Sequence, residues 1–233
     1  MDSSIFVLIG FAAFFAAGIA VLIATRRAEA RRRSAYQALA ERRAWGYEFR
    51  RAQGSRPAEV RFTDPARGLG LIVTRRLSRK SGSTTTTRGG HTVVELKEPR
   101  LSGGLALYVP PSEAEMVKAA SSVLGIFDNS IGKFLIGRLA GEDIGDHVGQ
   151  LVGQPVPEGV PVAIMATVDP SLWIDATAMA RALAAAPGDK AMVLVSATGT
   201  RLRIGQPLYA PEDIEQLFDA ALALDAALNR TPA

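Results

Sequence analysis

The chain has 233 residues, 48% of them hydrophobic, with no cysteine, two histidines and a formal net charge of +4. The absence of cysteine excludes disulfides, thiolate nucleophiles, iron–sulfur clusters and cysteine zinc sites. The excess charge is local: nine arginines against Glu29, Glu41 and Glu48 give residues 26–51 a charge of +6, while residues 52–233 sum to about −1.

The first predicted element is a membrane helix. Ile5–Ala24 is a run of twenty residues without Asp, Glu, Lys or Arg. At about 1.5 Å of rise per residue it reaches about 30 Å, the thickness of a bilayer's hydrocarbon core. A cleavable signal peptide opens with positive charge, has a shorter apolar core and ends in a small-residue cleavage site. Here Met1–Ser4 carries no Lys or Arg, and arginine follows the run. A retained anchor over residues 1–25 is therefore expected, in preference to a signal peptide or a buried core helix.

Lys and Arg stay preferentially on the cytoplasmic side of a membrane. Arg26, Arg27, Arg31, Arg32 and Arg33 thus predict a single-pass protein with its amino terminus outside and its carboxy-terminal domain in the cytoplasm. Arg outnumbers Lys 22 to 5 and Ala is abundant, which suggests a high-GC bacterial genome and hence a bacterial inner membrane. The plain role of the five arginines is this topology signal. They are also membrane-surface candidates, because each basic residue near an anionic leaflet gains about 1 kcal/mol of attraction. In that role residues 26–43 are expected to lie along the headgroups as a helix. Within the anchor, Ala12, Ala16, Ala20 and Ala24 recur every four residues, a spacing that lets two helix backbones approach closely in lipid. A membrane-protein partner, or a second copy of the chain, is the expected occupant of that packing face.

A basic juxtamembrane helix is predicted over 26–45, with Tyr36, Leu39 and Arg43 on one side, ended by Trp45-Gly46-Tyr47. An antiparallel β region follows over 46–111, with strands at Tyr47–Arg51, Glu59–Thr63, Leu69–Leu77, Thr92–Lys97 and Leu105–Val109, punctuated by Gly, Pro and Ser. Asp64–Gly68 is a turn. Ser78–Gly90 is polar and low in complexity, expected as the mobile tip of a long hairpin. Residues 112–155 form a glycine-rich helical segment, in which Met116, Val117, Ala120, Leu124 and Phe127 recur at helical spacing. Packing on the sheet is its default role.

The carboxy-terminal region, 156–230, reads as strand, helix, hairpin, helix. Val160–Val168 is the strand; Asp169 is an expected N-cap with Pro170 at the first helical position. Leu172, Ala176, Met179, Ala180 and Leu183 follow on one face. Ala191–Ala197 and Thr200–Ile204 form the hairpin. Pro211 opens the last helix, with Glu212 and Asp213 favourable at its amino end and Ile214, Leu217, Phe218, Ala221, Leu224 and Leu228 as its buried stripe. The expected class is α+β: one N-terminal transmembrane helix, a β-rich region, and a strand-helix-hairpin-helix C-terminal region.

A membrane helix, an arginine-rich stretch leading to Trp45-Gly46-Tyr47, a β-rich middle, and then a strand, an Asp-Pro helix, a hairpin and a terminal helix resemble a loose class of uncharacterised bacterial single-pass membrane-anchored proteins with a cytoplasmic α+β domain. The resemblance implies architecture; it brings no activity and no site residues.

No catalytic, cofactor-binding or metal-ligating residues are expected, and no cofactor. His91 and His147 are the only histidines. His147, with Glu142, Asp143 and Asp146, has ligand-type residues at helical spacing, but a metal site needs three or four converging ligands, and acidic helix ends are ordinary solvated surface. No G-x-S-x-G elbow occurs. Gly125–Lys133 misses the phosphate-loop spacing and has Phe134 where the hydroxyl belongs. A nucleic-acid-binding domain wants basic charge on its folded body, so nucleic acid is not an expected partner. The expected function is that of a non-enzymatic accessory, scaffold or adaptor protein of a bacterial membrane complex. The alternatives are a membrane-bound, hydrolase-like enzyme built around His147, or a lipid sensor acting through 26–43 and 112–150.

Overall fold

The structure, a computed structural model, describes residues 3–81, 84–96, 104–111, 151–167, 175–188 and 191–228, with the side chains of 3–13 and 77–88 excepted. Two compact units divide the chain, residues 1–43 and residues 44–233. The class is α+β, with a large antiparallel sheet and helices.

The first unit is one helix, α1, Ser3–Arg43. Helix-favouring Ala, Leu, Glu and Arg dominate its second half, and no Pro interrupts it. Tyr36 and Leu39 are buried together with Ala40, at helical spacing; Arg43, expected beside them, is exposed. The helix stops at Ala44, whose φ of 54° is left-handed. That conformation closes many helices, and glycine is its usual occupant.

The second unit is built on a nine-stranded sheet in which every neighbouring pair is antiparallel. Its strands are β1 (Gly46–Arg50), β2 (Glu59–Asp64), β3 (Leu69–Thr74), β6 (His91–Leu96), β7 (Leu105–Val109), β8 (Val152–Gln154), β9 (Ala163–Ala166), β10 (Ala191–Ser196) and β11 (Gly199–Ile204). The spatial order is β1-β2-β3-β6-β11-β10-β7-β9-β8. Residues paired directly across an antiparallel ladder share a face. Phe62, Leu71, Val94, Leu202, Val193, Tyr108 and Ile164 thus form one continuous buried row across seven strands.

Helices α2 (Ala176–Ala185) and α3 (Pro211–Leu228) pack on each other, with α2 near β10 and α3 near β6. The Gln216 side chain donates to the Ala185 carbonyl at 2.9 Å between them. Ile214, Leu217, Phe218, Ala221 and Leu224 of α3 are buried as expected, and Leu228 is half-buried. The Trp45 ring stacks on Phe218, centroids 4.1 Å apart, and meets Phe62 edge-on at 6.3 Å. This aromatic group joins α3 to the first strands of the sheet. Thr92 fastens the connection into α3: its hydroxyl donates to the Gln206 carbonyl at 3.1 Å and accepts from the Leu208 amide at 2.9 Å.

Several local expectations change. Ser78–Gly90 is not a plain loop: β4 (Leu77–Ser81) and β5 (Thr84–Arg88) pair as a separate two-stranded sheet, with Leu77 opposite Arg88. β3 and β6 beneath it pair directly, Thr74 opposite His91, so the long hairpin itself is present. Gly90 sits at its base, where a Cβ would come within 2.6 Å of the Thr74 carbonyl oxygen. The strand expected over Val160–Val168 covers only Ala163–Ala166. The described helix after it is capped by Asp175, whose carboxylate accepts from the Thr177 amide at 2.8 Å; Asp169, Pro170 and Leu172 lie outside the described residues. The turn at Asp64–Gly68 is as expected. Asp64 is buried, its carboxylate accepts from the Ala66 and Arg67 amides at 3.0 and 3.2 Å, and Gly68 takes the left-handed φ of 68°.

Candidate functional site

In α1 every residue from Phe14 to Ala28 is exposed. Phe14 is 77% exposed, Phe15 67% and Val21 64%, with Ile19, Leu22 and Ile23 close behind. Successive residues of a helix are turned by about 100°, so eleven consecutive uncharged residues, 14–24, clothe every side of it. A helix that is apolar all round belongs in an apolar medium or a core. Ala16, Ala20 and Ala24 of the expected packing face are exposed members of this sleeve; Ala12 lies outside the described side chains. Among the described residues no helix is long and apolar enough to cross a membrane.

The arginines follow directly. Arg26, Arg27 and Arg31 are exposed; Arg32 and Arg33 are half-buried. Glu29 accepts from the Arg33 guanidinium at 3.2 Å, an acid-before-base pair four residues apart, the favoured order on a helix. From Thr25 to Ala35 there is no large apolar residue. Sequence reasoning located all five arginines correctly on a helix. It did not foresee that they face several directions.

The second unit offers less. On the sheet face away from the row of Phe62 and Tyr108, β1, β2, β6 and β11 carry exposed or half-buried ion pairs: Arg50–Glu48 at 2.7 Å, Arg61–Glu59 at 3.0 Å and Arg201–Glu95 at 3.4 Å. The hydrogen bond from Arg50 holds the Glu48 carboxyl below the usual carboxylate range. Burial, and then the neighbouring Arg201, push the Arg203 guanidinium down to about 10. Both signs alternate here, so this face has no strong field of one charge. An open groove of about 570 Å³ lies on α3 beside the end of α2, bordered by Glu212, Glu215 and Asp219. Among the described residues no three His, Asp or Glu side chains converge as a metal site. Asp143, Asp146 and His147 lie outside the described residues, as does the whole 112–150 segment.

Tyr108 was not singled out by sequence. It is fully buried on β7, and among the described residues its hydroxyl has no hydrogen-bond partner. Burial raises its pKa well above the ordinary value. A tyrosine whose folded-state pKa is raised keeps its proton while the unfolded chain loses its own. Stability is therefore unaffected below pH about 10 and falls above it by about 1.4 kcal/mol per pH unit. Tyr108→Phe should remove that alkaline loss while leaving neutral-pH stability unchanged or up to about 1 kcal/mol higher. Urea unfolding at pH 7 and pH 11 measures both, and an unchanged alkaline slope counts against this burial.

Comparison with protein-family models, with curated proteins and with solved structures finds no match in any of the three.

Proposed function

We propose that the chain is a membrane-anchored accessory or scaffold protein of a bacterial inner membrane, held by α1 with its folded body in the cytoplasm. The observation that supports this most is the apolar sleeve at Phe14–Ala24, exposed on all sides and followed at once by arginines. Six large apolar side chains in water on one short stretch of α1 would be unfavourable at roughly 25 cal/mol per Å²; hydrocarbon removes that cost. The charge asymmetry assigns the arginine side to the cytoplasm. An accessory role, through a partner membrane protein or a second copy, accords with the small residues in the sleeve.

The full-length protein, expressed in a bacterium, should resist alkaline carbonate extraction, and its carboxy terminus should be digested only when protease is admitted to the cytoplasmic side. Purification in mild detergent should then retain a stoichiometric membrane protein or a self-associated species. Carbonate release would refute the anchor. A monodisperse monomer would refute the accessory role while leaving the anchor standing.

A further inference from the structure

We propose that α1 leaves the bilayer upright and that Arg26, Arg27, Arg31, Arg32 and Arg33 form a collar around it at the level of the lipid phosphates. The proposal rests on the anchor reading above and adds what fixes the helix's depth. Three observations carry it. First, α1 runs unbroken from Ser3 to Arg43. With neither a proline nor an interruption at Thr25, nothing turns it from crossing the membrane to lying along it.

Second, the arginines encircle the helix. At about 100° per residue, Arg26, Arg27 and Arg31 spread over about 140° of its circumference, and Arg32 and Arg33 fall on the remaining arc. The first three are exposed. All five lie within about 10 Å of axial rise, somewhat more than the roughly 5–8 Å of headgroup and interface on one side of the hydrocarbon core. Long guanidinium side chains bend toward phosphates while their stems stay on apolar surface.

Third, residues 25–35 have no apolar face. A helix that lies in the interface needs large apolar side chains opposite its charged ones, and Thr25–Ala35 contains only Thr, Arg, Ala, Glu and Ser. The sequence-based expectation that 26–43 lie along the headgroups is replaced by the upright collar. The ligand is the phosphate of the lipid headgroup, met from several directions at once.

The cysteine-free chain permits a direct test with the full-length protein. Single-cysteine variants at Phe15, Ile19, Ala24, Ala28, Ser34, Gln37, Ala38 and Glu41 are spin-labelled in vesicles of phosphatidylcholine and phosphatidylglycerol. Depth is read from oxygen and nickel-chelate collision rates. The collar predicts a monotonic rise from Phe15 toward Ala28, at about 1.5 Å per residue, with Ser34, Gln37, Ala38 and Glu41 all in water. Combining Arg26→Gln, Arg27→Gln and Arg31→Gln should let the helix sink by about one turn, ~5 Å, reported by the labels at Ala24 and Ala28. Lipid-accessible labels at Ser34–Glu41 would overturn the upright exit. An unchanged depth in the triple variant would overturn the collar. Labels at Phe15 and Ile19 that are already in water would instead overturn the anchor itself.

Discussion

Replacing Phe14 and Phe15 together by aspartate should move the protein from the carbonate-resistant membrane fraction to the extractable one. The two residues sit in the middle of Ile5–Ala24, so an anchor places them near the bilayer centre. An aspartate there costs about 2.5–3.5 kcal/mol, and the lost phenylalanine adds a few tenths. The pair is worth about 6 kcal/mol, more than four decades in the insertion equilibrium. The medium decides the sign of the outcome. Phe14 and Phe15 are 77% and 67% exposed. In water, such surface changes are usually within about 0.5 kcal/mol, and carboxylates there favour solubility. Retention of the double variant in washed membranes would leave the anchor without its physical basis. Loss of the variant by misfolding is separable, since far-UV circular dichroism of the extracted protein reports the second unit.

Trp45→Ala should cost the second unit about 3–5 kcal/mol, the usual range for deleting a buried tryptophan. Trp45 is 8% exposed, stacked on Phe218 and edge-on to Phe62. It is therefore a contact through which β2 and α3, distant in sequence, share one core. Against a total stability of about 5–15 kcal/mol for an ordinary domain, the loss is large enough to leave a marginal fold. Trp45→Phe keeps a ring against Phe218 and should cost less than half as much. Urea unfolding in mild detergent, followed by far-UV circular dichroism, measures both. An unchanged midpoint for Trp45→Ala would show that the aromatic group is not part of the cooperative core.

The strands were legible because alternation is a local signal. In β2 and β3 the buried apolar side chains are every second residue, Val60 and Phe62, then Leu69, Leu71 and Val73. The last helix was legible because Pro211, Glu212 and Asp213 mark its start and its apolar stripe keeps a 3.6-residue period. The expected cap at Asp169-Pro170 lies outside the described residues; the helix that is described, Ala176–Ala185, is capped by Asp175, which the sequence pattern did not single out. The Thr84–Arg88 stretch read as loop because its residues are polar. Strand pairing there is set by backbone hydrogen bonds to Leu77–Ser81 and needs no apolar face. The candidate site was legible as a run of residue types, and its angular distribution needed the continuous helix.

The helix of Ser3–Arg43, its uncharged first half, its arginine flank and the alternating strands are legible without a structure, since each is a property of neighbouring residues. Long-range packing sets β6 beside β11, Val94 opposite Leu202, which joins the early strands and the carboxy-terminal hairpin in one sheet. It also decided that Tyr108 buries its hydroxyl in that sheet, and that Trp45 meets Phe218. Such contacts join residues far apart in the chain, as Val94 with Leu202 and Trp45 with Phe218. No local preference encodes them, because they are selected by the free energy of burying whole faces together.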